Sequence, residues 1–273
     1  MSQHTQTRRL SVPDIYARKG GEPIVALTAY DAPTAALLDP ICDVLLVGDS
    51  VGMVVHGLPS TVPVTLDMMI LHSQAVMRTS QRALVVVDMP FSSYEASKEQ
   101  AFANAARVLR ETGATAVKVE AGSYVADTIA YLVERGIPVM GHVGLRPQAA
   151  LVDGGFKAKG RSEHEWQKVI GEAKAADAAG AFAIVVEGVA EDLAVEITTT
   201  VKAPTIGIGA SVQCDGQVLV TDDMMGRFEW TPRFVKQYGN IREVMREAAE
   251  SYASDVRARA FPGPNQVYAL KKS

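Results

Sequence analysis

Cysteine is nearly absent from this chain. Cys42 and Cys214 are the only two, far apart and in no CxxC spacing. That excludes a disulfide framework and a cysteine zinc site, and it suits a reducing compartment. Neither has a visible base partner that would make it a nucleophile. Long hydrophobic runs are also missing. No stretch of 18 apolar residues occurs, so no membrane-spanning helix is expected. Residues 1–21, MSQHTQTRRLSVPDIYARKGG, carry Arg8 and Arg9 with no apolar stretch behind them, unlike a signal peptide. The expected location is cytoplasmic. No charge of one sign dominates: the net charge is −4, which argues against nucleic-acid and membrane partners. There is no GxGxxG or Walker A loop, no linker rich in Pro, Gly or Ser, and no low-complexity segment.

What is present is a rhythm. Eight short β-branched runs recur: IVALTA (24–29), VLLVGD (44–49), LVVVDM (84–89), AVKVE (116–120), PVMGHV (138–143), FAIVVEG (182–188), PTIGIG (204–209) and QVLVTD (217–222). They are apolar on both faces, as strands inside a parallel sheet must be. Helical periodicity fills most intervals, most clearly at 66–81, 97–113, 125–136 and 163–180. Gly113, Gly136 and Gly180 fall where helix C-caps belong. Alternating strands and helices mean α/β, and eight strands favour a closed (β/α)8 barrel over a doubly wound open sheet. The interval from Gly209 to Gln217 is too short for a full helix. With 273 residues and no linker, the expectation is one barrel domain over 1–273, ending in a helical region at 231–261.

Barrel active sites form at the C-terminal ends of the strands. Here those ends carry Asp49-Ser50, Asp88, Glu120, His142, Glu187 and Asp222, with Tyr30-Asp31 after the first strand. A single Asp after a strand is often a helix N-cap, and Asp222 beside Asp223 reads as a polar turn. Asp49, Asp88 and Glu120, however, end three consecutive strands. Neighbouring strand ends lie about 5 Å apart, so their side chains can reach one ion. An all-oxygen set without His or Cys spacing suits Mg²⁺.

Lys118 lies two residues before Glu120, on the same face of its strand. It is either a structural partner for an acid or a binder of a substrate carboxylate. His142 sits on the rim in GHVG, as a substrate contact or a structural residue. Glu187 follows apolar residues that would raise its proton affinity, and it is a candidate general base or a buried structural acid. Together these residues suggest carbanion chemistry on a chelated 2-oxo acid.

LTAYDAPTA, VLLVGDSVGMVVHG, PVTLDMMILHSQAV, VVVDMPFSSYE, AVKVE, GIPVMGHVGLRPQ, GGFKAKGR, VVEGV, PTIGIGAS and CDGQVLVTDDMMG closely resemble the ketopantoate hydroxymethyltransferase family, in order, over about residues 24–226. The resemblance implies a barrel of the phosphoenolpyruvate mutase/isocitrate lyase type. It implies transfer of a hydroxymethyl group from 5,10-methylenetetrahydrofolate to 3-methyl-2-oxobutanoate, giving 2-dehydropantoate on the way to pantothenate and coenzyme A. It implies one Mg²⁺ per subunit at Asp49, Asp88 and Glu120, and substrate contacts at Asp49, Ser50, Asp88, Lys118 and His142. Glu187 matches the proton acceptor. It also implies a homodecamer built as a pentamer of dimers. Ala121, Gly188 and Ser211 depart from residues common in the family, and none removes a charged group.

The basic, glycine-rich LVDGGFKAKGRS (151–162) reads either as a mobile flap bringing Lys157, Lys159 or Arg161 to the folate glutamate tail, or as a plain surface loop. FPGPNQVYAL (261–270) reads as a tail packed on a neighbouring subunit or on its own barrel. Two other functions compete. A C–C lyase or mutase would need a loop nucleophile, and none is well placed. A non-catalytic keto-acid binder would have no use for Glu187.

Overall fold

The computed structural model describes residues 8–122 and 124–269. Residues 1–7, the start of the segment read for a signal peptide, and Leu270 at the end of the tail lie outside the described residues. The described chain divides into two compact units, up to Val220 and from Thr221.

In the first unit eight strands close into a parallel barrel in the order β1-β2-β3-β4-β5-β6-β7-β8. They are β1 (Ile24–Thr28), β2 (Val44–Val47), β3 (Leu84–Asp88), β4 (Ala116–Glu120), β5 (Val139–Gly144), β6 (Ala183–Glu187), β7 (Thr205–Ile208) and β8 (Gly216–Leu219). Each overlaps one of the eight apolar runs, although the eighth strand starts at Gly216 and Thr221-Asp222 of its run lie in a helix. The helices are α1 (Val12–Tyr16), α2 (Ala32–Leu38), α3 (Val51–Val54), α4 (Leu66–Thr79), α5 (Lys98–Thr112), α6 (Ala126–Glu134), α7 (Ala150–Asp153), α8 (Glu163–Ala178) and α9 (Glu191–Thr200). As the short interval required, no helix separates β7 from β8.

Local chemistry sets the helix ends. Thr65, Ser97 and Ser162 accept the backbone N–H of the third helical residue into their side chains, satisfying a donor that the first turn leaves free. Gly113 ends α5 at φ 76°, in the left-handed region where a Cβ is costly. Along α5, Ala101, Ala105 and Val108 turn one stripe inward.

Strand alternation sorts the core into two layers. Ile24, Ala26, Val44, Leu46, Leu84, Val86, Ala116, Met140, Val185, Ile206 and Val218 fill the barrel interior with Ile15 of α1. Leu45, Val47, Val85, Val87, Val117, Val119, Val139, Ile184 and Val186 face the helices. Side chains repeat every second residue. Asp88, Lys118, Glu120, His142 and Glu187 therefore continue the interior rows at the C-terminal end, where the apolar filling stops.

The second unit holds α10 (Thr221–Met224) and α11 (Ile241–Arg257). The helix expected over 231–261 is thus shorter. Residues 231–240 contain Pro232 and Gly239 and form no regular element. Asp222, expected in a polar turn, lies instead in the first turn of α10 and pairs with Arg227 at 2.7 Å. Tyr268 in the tail is fully exposed.

Candidate active site

The seven residues singled out in the sequence gather at one mouth of the barrel. Asp49 follows β2, and its backbone N–H donates to Asp88 Oδ2 at 3.1 Å. Asp88 Oδ1 meets Lys118 Nζ at 2.8 Å, both side chains being buried. Lys118 Nζ lies 3.4 Å from His142 Nδ1. On the other side of the ring, His142 Nε2 lies 3.3 Å from Glu187 Oε2, a contact not aligned as a hydrogen bond. An ammonium only donates, so Nδ1 must accept and the ring proton sits on Nε2, facing Glu187. Register underlies this order: Asp88 pairs with Lys118, and Glu120 with His142, across adjacent strands. Gly144 pairs with Glu187 at φ 96°. A Cβ there would lie 2.3 Å from the Glu187 carbonyl oxygen, so only glycine lets β5 and β6 approach this closely. Ser50 stands beside the chain of charges, its Oγ 2.8 Å from the Tyr30 hydroxyl.

Two residues outside the sequence reading complete the cluster. Gln148 comes from the turn after β5. Its Nε2 donates to Asp49 Oδ2 (2.8 Å) and to the Met89 carbonyl (2.9 Å), and its backbone N–H donates to Glu120 Oε1 (3.2 Å). Tyr94 donates its hydroxyl to Gln148 Oε1 at 2.7 Å and accepts the Glu120 backbone N–H at 3.3 Å. One neutral residue thus ties two acids together, Asp49 through its side chain and Glu120 through its backbone. The quoted GLRPQ motif contained Gln148, but nothing near it in sequence reveals its partners.

The electrostatics are those of crowded, dehydrated acids. Burial, then the charge of Asp88, pushes Asp49 up to about 7. Burial, then Asp49, raises Glu120 well above the usual carboxylate range. Burial works against the charge of Lys118, but Asp88, Asp49 and Glu120 outweigh it and raise its pKa. Burial and the neighbouring Lys118 lower His142, keeping the imidazole neutral. Three buried carboxylates therefore face one buried ammonium. The raised acids and the all-oxygen donors fit a hard divalent cation, whose charge would let them ionise. Among the described residues no group of three or more His, Cys, Asp or Glu side chains is placed to hold an ion unaided. Mg²⁺ is compatible with that, since one or two carboxylates plus waters or substrate suffice for it.

The flap candidate is partly anchored. Lys159 pairs with Asp153 at 2.9 Å, and its backbone N–H donates to the Gly188 carbonyl at 2.8 Å, next to Glu187. Lys157 and Arg161 are exposed.

A closed parallel barrel with acids, a lysine and a neutral histidine converging at its C-terminal mouth defines the class: a (β/α)8-barrel enzyme. Solved barrels of this architecture include phosphonopyruvate hydrolase (TM-score 0.60, 14% identity, 96% of this chain and 92% of that one). Another is 2,3-dimethylmalate lyase, a PEP mutase/isocitrate lyase superfamily member (TM-score 0.60, 14% identity, 94% and 87%). At that identity they show the fold alone.

The ketopantoate hydroxymethyltransferase family model matches residues 9–264. The 3-methyl-2-oxobutanoate hydroxymethyltransferase of Maricaulis maris is 68% identical over 98% of this chain and 96% of its own. That of Hyphomonas neptunium is 66% identical over 100% and 99%. The chain belongs to the ketopantoate hydroxymethyltransferase family, and it is a transferase. Among the described residues no helix is long and apolar enough to cross a membrane.

Proposed function

We propose that this enzyme transfers a hydroxymethyl group from 5,10-methylenetetrahydrofolate to 3-methyl-2-oxobutanoate, with water, giving 2-dehydropantoate and tetrahydrofolate. The observation that carries the chemistry is the line Asp88–Lys118–His142–Glu187, which runs from buried charge to a partly open carboxylate. Asp49 and Asp88, with Glu120 beside them, would hold Mg²⁺, which supplies Lewis-acid polarisation of the keto group when bound. Lys118 neutralises the substrate carboxylate. Ser50, steadied by Tyr30, and His142 through its Nε2–H orient the keto acid. Glu187 removes the C3 proton. The electron pair of that C–H bond becomes the enolate, whose C3 bonds to the folate methylene carbon as one of its two C–N bonds breaks onto nitrogen. The oxygen of water then replaces the second C–N bond, and the C3 proton and one water proton end on the two tetrahydrofolate nitrogens. His142 stays neutral, so it can donate a hydrogen bond without carrying the proton away.

Lys157 and Arg161 are exposed in the segment that Lys159 anchors beside Glu187, a position suited to an anionic glutamate tail. The enzyme works as a cytoplasmic homo-oligomer, in the family pattern a decamer. An exposed apolar row on α11 (Val244, Tyr252, Val256) supports association.

The test is exchange of the C3 proton of 3-methyl-2-oxobutanoate into deuterated water, followed by NMR with Mg²⁺ and without folate. Wild-type enzyme should exchange it. Glu187→Gln should lose the exchange and still bind the keto acid. Exchange that persists in Glu187→Gln would remove Glu187 as the base.

A further inference from the structure

We propose that His56 and His72 form a second cation site, selective for a borderline transition ion such as Zn²⁺, on the surface beside the barrel mouth. His56 is exposed in the segment between α3 and α4, and His72 is half-buried in α4. Their Nε2 atoms lie 2.9 Å apart, the rings meeting edge-on with centroids 5.1 Å apart and planes at 78°. Two imidazole nitrogens on one tetrahedral zinc, each at about 2.0–2.1 Å, stand about 3.3 Å apart. A small turn of either ring reaches that spacing.

The second observation concerns the far side of His72. Its Nδ1 lies 2.7 Å from the Tyr30 carbonyl oxygen. A carbonyl only accepts, so the ring proton sits on Nδ1 and the lone pair of Nε2 points at His56. A histidine that donates one ring N–H to a backbone carbonyl and offers the other nitrogen is arranged as metal ligands are. In the absence of an ion, the His56 Nε2–H fills that lone pair. An ion would displace this proton and link the 55–65 segment to α4, with water completing its shell.

The ligand chemistry separates this site from the acids at the barrel mouth. Imidazole nitrogens suit Zn²⁺, Ni²⁺ and Cu²⁺, whereas Mg²⁺ prefers oxygen. Tyr30 joins the two regions: its carbonyl meets His72 and its hydroxyl meets Ser50.

The experiment is calorimetric titration of tag-free full-length protein with ZnCl₂ in saturating MgCl₂, repeated for His56→Gln, His72→Ala, Asp49→Asn and His164→Gln. The expected result is one zinc site per chain in the wild type. It should weaken at least tenfold in His56→Gln and in His72→Ala, and stay unchanged in Asp49→Asn and in His164→Gln, which alters an exposed histidine elsewhere. Equal zinc affinity in the wild type and His56→Gln would overturn the proposal. So would loss of zinc binding in Asp49→Asn alone, or no uptake by the wild type. His56 is exposed, so its variant should fold normally, and circular dichroism of each variant checks this.

Discussion

The side-chain amide of Gln148 donates to Asp49 Oδ2 at 2.8 Å across 99 residues of sequence. The same amide is fixed from behind by Tyr94, so it cannot rotate away. Gln148 is therefore a positioning residue for the acids. Gln148→Met keeps the volume and removes both the donor and the acceptor. Leaving buried polar groups without partners costs about 1–3 kcal/mol, which urea denaturation would read. Outer contacts of this kind also govern ion affinity, so Mg²⁺ binding by calorimetry should weaken about 10–100-fold. Tyr94→Phe should show a smaller loss of the same kind. Unchanged Mg²⁺ affinity in Gln148→Met would remove the role.

Lys118 and Asp88 form the most buried ion pair at the mouth. Lys118→Met should destabilise the metal-free protein by about 3–5 kcal/mol, because Asp88 is left as an uncompensated charge among other acids. Urea titration in EDTA measures this. Asp88→Asn in the Lys118→Met background should recover part of the loss. A double variant no more stable than Lys118→Met would show that the pair is not the source.

The fold and most of the site were legible because one physical rule wrote both. A strand buried on both faces must be apolar throughout, so a run such as LVVVD or AVKVE announces itself, and a charge inside it is conspicuous. Alternation then turns Lys118 and Glu120 to the same interior as Asp88. What could not be read depends on contacts between distant segments. Gln148 and Tyr94 sit in turns whose course no local pattern fixes, and the Lys159 backbone joins Val189 through a single isolated bridge. The C-terminal helix is shorter than its pattern predicts for a related reason. Residues 231–240 are polar and aromatic enough to suggest a helix, yet Pro232 and Gly239 interrupt it.

Asp39 holds the turn before β3 in place. Its carboxylate accepts from Ser80 Oγ and from the backbone N–H groups of Gln81, Arg82 and Ala83. Burial opposes its charge, but these hydrogen bonds outweigh burial and hold its pKa below the usual range. Because the folded pKa is depressed, this stabilisation is fully present above the unfolded value of about 3.9 and is lost as pH falls through the folded value. In Asp39→Asn, the amide NH₂ would face backbone donors. The variant should melt lower than wild type at pH 7, and the gap should narrow as pH drops from 4 toward 2. A gap independent of pH would mean that the carboxylate charge does not matter.

Cys42 is fully buried before β2, and burial, then the charge of Asp43, pushes its thiol up to about 11. Thiolate is the reactive form, so at pH 8 Cys42 is both shielded and protonated. Cys214 is buried as well, its sulfur accepting from Thr198 Oγ1 at 3.8 Å. Ellman's reagent should therefore find almost no thiol in the native enzyme over minutes, and both cysteines once guanidinium unfolds it. Activity should survive the native treatment. Rapid native labelling would show that the wall around Cys42 opens without global unfolding. Slow labelling that tracks the denaturant dependence of unfolding would tie thiol exposure to loss of the barrel itself.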